Sequence, residues 1–319
     1  FSSSIKSIKC LVKNLTLNKN YLKKYLVSGD LDYSKRTVFK EIFNFPSSSY
    51  LKINLKKKFT SFKFIKYWQL NFSEKNDLSK TKLLKNKIDN CINLHTDSQK
   101  RIKSLITLSG GLDSTYIQSK NISQNFISMS ISGKDFNSEL NNIKKFVKKK
   151  KFNHNFLNLN RKDLKIGNLI KFVKNLDQPI RSFHPYLQYL IRLEAKKNNV
   201  KIVLTGDGGD EVFGGYFYLI PYVSNFFNKK KGGHLKSYKD NFFKDFSKYL
   251  NKYKNLKDKN TELKKKLISR LIKTHVPYWL RVEDEISMLN SIENRVPYLD
   301  HILIETAFNF KTQFFFKNG

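Results

Sequence analysis

Three short stretches hold the residue types that chemistry on a phosphorylated substrate would need. The first is "SLITLSGGLDSTYIQ", residues 104–118, where an apolar run breaks into two glycines and an aspartate framed by hydroxyls. Gly110 and Gly111 have no Cβ to hold an anion away from their backbone N–H groups, and a helix opening near Ser114 turns its positive end toward the same spot. Ser109 and Ser114 add hydroxyl donors. Asp113 would repel a bare phosphate, so its place in the turn makes sense with a divalent cation between the two. Magnesium is the natural candidate, because it pairs one or two carboxylates with substrate phosphate oxygens. Without its surroundings the stretch reads equally well as a tight turn whose Asp113 caps the helix.

The second stretch, "VLTGDGGDEVFGGY" at 203–216, packs Asp207, Asp210 and Glu211 among five glycines. Adjacent carboxylates repel unless a cation or a polarised substrate compensates. Asp210 is expected to face Asp113 and help hold magnesium on a polyphosphate, which leaves Asp207 to steer a nucleophile or accept its proton. The third stretch, "SIENRVPYLDHILIE", joins Glu293 to Arg295 and ends in Asp300. It has a plainer reading too, with Asp300 as the N-cap of a helix over 301–310 and Glu293 and Arg295 as a structural ion pair.

Strands and helices that alternate along the chain would position these residues. Strands are predicted at 105–108, 126–131, 156–159 and 202–205, with helices from 114 and over 138–149, 162–175 and 184–198. That order argues for an α/β fold with a parallel, doubly wound sheet. In such a sheet ligands bind beyond the carboxyl ends of the strands, where both glycine turns fall. Beyond 216 the pattern is helical, with a basic loop near 229–239 and helices around 263–273, 281–290 and 301–310. Before the sheet, "LSKTKLLKNKIDNCINL" places Leu83, Leu84, Ile88, Cys91 and Ile92 on one helical face. Residues 67–77 look like a linker, and 1–66 contain two short helices and a strand at 50–55, too little to close a core.

The 319 residues carry 61 Lys+Arg against 26 Asp+Glu, a net charge of +35. In isolation that suggests a nucleic-acid binder. The excess is spread along the whole chain, however, and reads as compositional drift rather than a specific nucleic-acid face. No apolar run reaches the ~20 residues a membrane span requires. Two distant cysteines and six histidines without ligand spacing argue against a disulfide framework or a zinc site, and fit a reducing cytoplasm. The oligomeric state stays open, a homodimer included.

Taken together, the stretches match one family. "SGGLDS" resembles the pyrophosphate loop of the N-type ATP pyrophosphatases, and "GDGGDEVFGGY" with "MLNSIENRVPYLD" is similar to the synthetase domain of glutamine-hydrolysing asparagine synthetases. Residues 1–66 resemble the end of that family's glutaminase domain, an N-terminal-nucleophile fold, and 67–319 its ATP-dependent synthetase domain, with both ends of the chain cut. The resemblance implies that Ser109, Gly110, Gly111, Asp113 and Ser114 hold the pyrophosphate of ATP, that the strand ending at Ile131 presents backbone to adenine, and that Thr205 and Gly206 line the nucleotide pocket. It implies Asp113 and Asp210 as magnesium ligands, Asp207 and Glu211 as the catalytic acids, and Glu293, Arg295 and Asp300 as structural or substrate-side residues. The implied reaction is carbon–nitrogen ligation: aspartate attacks the α-phosphate of ATP, pyrophosphate leaves, and ammonia from glutamine displaces AMP. Neither Cys10 nor Cys91 matches the family's glutaminase nucleophile, so the chain alone is expected not to use glutamine. Three departures bear on the acceptor: "DEP" becomes Asp177, Gln178, Pro179; Arg181 and Phe183 follow in place of small residues; and "DR" becomes Asp284, Glu285. Relatives amidate sugars or peptides, and tRNA-modifying enzymes share the "SGGxDS" loop, so these are the alternatives.

Overall fold

The computed structural model describes residues 1–28, 35–56, 63–71, 81–96, 102–121, 125–133, 139–160, 164–216 and 259–310. The basic loop expected at 229–239 and the chain end at 317–319 lie outside them. The N-terminal part holds α1 (Ile5–Leu11), α2 (Lys19–Ser28) and the antiparallel pair β1 (Ser49–Leu51) and β2 (Phe64–Lys66). After α3 (Thr81–Thr96) come β3 (Ser104–Thr107), α4 (Leu112–Lys120), β4 (Phe126–Ser132), α5 (Leu140–Lys150) and β5 (His154–Asn158). Next are α6 (Ile166–Lys174), α7 (His184–Lys197), β6 (Ile202–Leu204) and the short α8 (Gly209–Phe213). The last described stretch runs through α9 (Lys259–Ile272), α10 (His275–Met288), β7 (Glu293–Arg295) and α11 (His301–Phe308).

The long-range sheet has the order β5-β4-β3-β6-β7, and every pairing in it is parallel. Its central strands are apolar on both sides because both sides are covered. Ile106 and Leu204 face Leu84 and Ile92 of α3, Ile117 of α4 and Leu303 of α11. One residue away, Leu105 and Val203 face Ile191 and Ala195 of α7. Neighbouring strand residues point to opposite faces, so each short strand serves two layers. This is the doubly wound α/β sheet expected from the sequence.

Three local expectations are corrected. Leu83 is 40% exposed, while Leu84, Cys91 and Ile92 carry the buried stripe of α3, so the stripe is narrower than the apolar spacing suggested. Residues 67–71 are not a free linker: Leu70 is buried among residues of α8, α9 and α11, and the Trp68 indole N–H donates to Glu305 Oε1 at 2.6 Å. Glu293–Arg295 is a fifth strand, paired through its backbone to β6.

The N-terminal part is joined to the rest by specific contacts. Asp177, in the loop between α6 and α7, accepts from the backbone N–H groups of Ile5 (2.6 Å) and Lys6 (3.0 Å) at the start of α1. Tyr25 donates to the Ile180 carbonyl at 2.8 Å, and Arg281 to Asn44 Oδ1 at 3.0 Å.

Candidate active site

The chain runs outward from β3 through β4 to β5, then returns to lay β6 on the other side of β3 and β7 beyond it. The strand order therefore reverses between β3 and β6, and a crevice opens beyond their carboxyl ends. Both glycine turns leave those two strand ends. In the first, the Ser109 and Ser114 hydroxyls are 3.0 Å apart, the Ser109 N–H donates to Ser114 Oγ at 3.1 Å, and the Gly111 N–H donates to Ser109 Oγ at 3.2 Å. Gly111 is the N-cap of α4 and has ordinary extended backbone. Gly110 differs, with φ +87, and a Cβ there would sit 3.0 Å from Glu139 Cβ and 3.1 Å from Ile143 Cγ1.

The second turn lies directly on Asp113. A Cβ at Gly209 would fall 2.5 Å from the Asp113 carboxyl carbon, and one at Gly206 3.0 Å from Asp113 Cβ. Glycine at both positions lets the two loops touch. A Cβ on Gly215 would meet Asp210 Oδ1 at 1.9 Å, so the end of this loop folds closely around Asp210. The Asp113 carboxyl is pushed up to about 6, first by burial and then by the charges of Asp210, Glu211 and Asp207. Burial also raises Asp210, against the pull of Arg270. Glu211 is raised by burial as well, although it accepts from the Tyr216 hydroxyl and lies 3.4 Å from His275 Nε2 and 3.8 Å from Arg270 Nη2. Asp207 is held at both oxygens: Thr205 Oγ1 donates to one at 2.6 Å and Trp279 Nε1 to the other at 2.9 Å.

Two adjoining cavities open on these groups. The larger, about 830 Å³, is lined by Ser109, Gly111, Asp113, Ser114, Ile131, Thr205, Gly206, Asp207 and Asp210. The smaller, about 340 Å³, is lined by Glu211, Tyr216, His275 and Trp279. His184, Gly206, Asp207 and Asp210 border both. The first two sequence stretches thus converge on one crevice. The third borders neither cavity with its charged residues: Arg295 pairs with Glu293 at 2.7 Å and donates to the His95 carbonyl at 2.8 Å, and Asp300 caps α11 by accepting from Ile302 N and Leu303 N.

The sequence reading overlooked a set of residues on α7 and α10. Arg192 is completely buried and pairs with Glu283; it also reaches Gln188, Asn294 Oδ1 (3.1 Å) and Ser287 Oγ (3.4 Å). On the same faces the His184 and Trp279 rings lie 5.0 Å apart. The available signal was polar or amphipathic residues repeating every four positions, His184, Gln188, Arg192 and Trp279, Glu283, Ser287, along single faces of the two helices.

A parallel sheet that brings a hydroxyl-lined glycine turn and an acidic glycine loop together at its switch point defines a doubly wound α/β protein with a candidate phosphate-binding crevice. The family profile described as Asparagine synthase matches residues 83–319, and the chain belongs to that family. A curated relative, "Asparagine synthetase [glutamine-hydrolyzing] 1" of Bacillus subtilis, is 24% identical over 80% of this chain and 48% of its own length. The chain therefore spans about half the length of that relative. Similar solved structures include the U34-tRNA thiolase NcsA of Methanococcus maripaludis, at 15% identity and a TM-score of 0.33, covering 67% of this chain and 82% of that one. The NH3-dependent NAD synthetase of Campylobacter jejuni matches at 16% identity and a TM-score of 0.33, covering 61% of this chain and 93% of that one.

Proposed function

We propose that this chain carries the ATP-dependent half of an amide-forming ligase: a carboxylate is activated as an acyl-adenylate with release of pyrophosphate, and ammonia then displaces AMP. The observation that carries this reading is the meeting of the Ser109–Ser114 turn with Asp113, Asp207 and Asp210 on one crevice of about 830 Å³. Family membership supports it. Gly110, Gly111 and the two serine hydroxyls would cradle the pyrophosphate, Ile131 and its strand would border the adenine, and Thr205 and Gly206 would line the pocket wall. Asp113, Asp210 and room for phosphate oxygens form a donor set that fits magnesium, because a cation there would offset the crowding of acids that raises the Asp113 carboxyl. When bound there, the ion would neutralise phosphate charge.

Asp207, with Glu211 behind it, would accept the proton of the incoming nitrogen nucleophile. The acceptor we favour is aspartate, with glutamine or free ammonia as the source of the nitrogen. Within this chain Cys10 is exposed, and Cys91 is buried and pushed up to about 12 by burial and Asp300, so Cys91 cannot serve as a thiolate. Cys10 does not match the nucleophile of the family's glutaminase either, so ammonium is the donor we propose for this chain, and the cytoplasm, which holds ATP and reduced thiols, is the proposed setting. A sugar or peptide carboxylate is the second reading, because the 340 Å³ cavity with Trp279 and Tyr216 on its wall has room for an acceptor larger than aspartate. Incubation with MgATP, ammonium and each carboxylate tests the proposal. AMP, pyrophosphate and amide should form in equal amounts with one acceptor; ADP as product, or pyrophosphate release indifferent to acceptor and nitrogen, would refute it.

A further inference from the structure

We infer that Trp279, braced by His184, is the residue that positions the Asp207 carboxylate at the junction of the two cavities. This deepens the proposed function and rests on it. A carboxylate hydrogen-bonded at one oxygen still rotates about that bond. Asp207 is held at both, by the Thr205 hydroxyl of its own loop and by the Trp279 indole N–H of α10. The two donors come from separate elements, so they fix the plane of the carboxylate and leave further lone pairs of each oxygen for a ligand. Trp279 is itself held: its ring lies near those of Tyr278 and His184, at centroid separations of 6.2 and 5.0 Å. The helices carrying His184 and Trp279 are pinned together by the buried Arg192–Glu283 pair, two turns along α7 from His184 and one turn along α10 from Trp279. His184, Asp207 and Trp279 all line the smaller cavity, and His184 and Asp207 also border the larger. An amine entering at the junction would therefore meet a carboxylate already oriented, with no need for it to turn during the reaction. Burial holds the His184 imidazole below its usual value, so it stands beside Trp279 as a neutral ring.

The test uses Trp279→Phe, which keeps the ring against His184 and removes the N–H donor. With MgATP, ammonium and the accepted carboxylate, kcat should fall about tenfold, the size expected for losing one hydrogen bond to a charged group. KM for ATP should stay within twofold and the melting temperature should fall by no more than a few degrees. In an Asp207→Asn background the same substitution should have no further effect, since its action passes through that carboxylate. Full activity in Trp279→Phe, a rise in KM for ATP matching the loss, or an equal loss in the Asp207→Asn background overturns the inference. A second readout is independent of turnover. Trp68 and Trp279 are the two tryptophans of the chain, so Trp68→Phe leaves Trp279 as the sole emitter. Excited indole places positive charge on its pyrrole ring, which a carboxylate at Nε1 stabilises, so Asp207→Asn should move the emission maximum to shorter wavelength. An unmoved maximum refutes the contact. If the parent forms no amide, the proposed function fails, and the emission still decides whether Trp279 holds Asp207.

Discussion

At the scale of single residues, Asp113 carries the largest cost in the crevice. Its folded value of about 6 lies above the ~3.9 of an ordinary carboxyl, so the folded state keeps the proton to higher pH than the unfolded chain does. Stability from this group is therefore present at low pH and lost as pH rises from about 4 to about 6. Asp113→Asn should remove that slope and leave the ligand-free chain more stable than the parent at neutral pH, as urea unfolding across the window would show. Magnesium with ATP should stabilise the parent and not the variant. The neighbouring glycines separate by cause. Gly110→Ala, with φ +87 and a Cβ 3.0 Å from Glu139, should cost about 1 to 2 kcal/mol of stability. Gly111→Val, in ordinary backbone on the cavity wall but a poorer N-cap for α4, should cost at most about 1 kcal/mol of stability and abolish pyrophosphate release. From sequence the two glycines looked alike, because positive φ is a property of the folded turn. Asp113, Asp207 and Asp210 were legible because clustered acids and glycines are costly without a role. His184 and Trp279 were not, since their four-residue spacing to Gln188 and Glu283 is also the spacing of packing residues on a helix face.

Among the elements, the pair α7 and α10 fixes the wall of the smaller cavity through one buried ion pair. Arg192 and Glu283 are 0% and 1% exposed at their side chains. Burial raises the Glu283 carboxyl and the Arg192 charge opposes it. Arg192→Met leaves a buried carboxylate without its cation and should cost about 3 to 5 kcal/mol, whereas adding Glu283→Leu should restore most of that. Chemical denaturation of the single and double variants checks both. Periodicity located α3, α7, β3, β4 and β6 to within a few residues because their apolar residues face packed layers. It missed β7, whose Glu293, Asn294 and Arg295 show no apolar alternation; backbone pairing to β6 makes that strand. α10 begins at His275, six residues earlier than 281, because Val276 and Tyr278 are buried at its start and the sequence there, "THVPYWL", contains a proline that reads as a break.

Across the whole molecule, the N-terminal part is tied to the loop that delivers Ser182 and His184 to the smaller cavity. Asp177→Ala removes two hydrogen bonds from the start of α1 and should raise the rate at which a protease cuts within residues 1–11, with melting of the central sheet little changed. The +35 charge makes a separate prediction: binding to tRNA should be indifferent to sequence and fall steeply between 50 and ~200 mM salt. The strand order has a consequence for synthesis. β3 meets β4 soon after it leaves the ribosome, but its other neighbour, β6, lies ~100 residues further on, which is roughly 5 to 20 seconds of translation. Through that interval the future centre of the sheet is an open edge carrying Leu105 and Ile106, the kind of template on which nascent chains pair with one another. The acidic loop arrives directly behind the strand that covers this edge, so a chain stalled before residue 202 would be an aggregation hazard and would have no crevice.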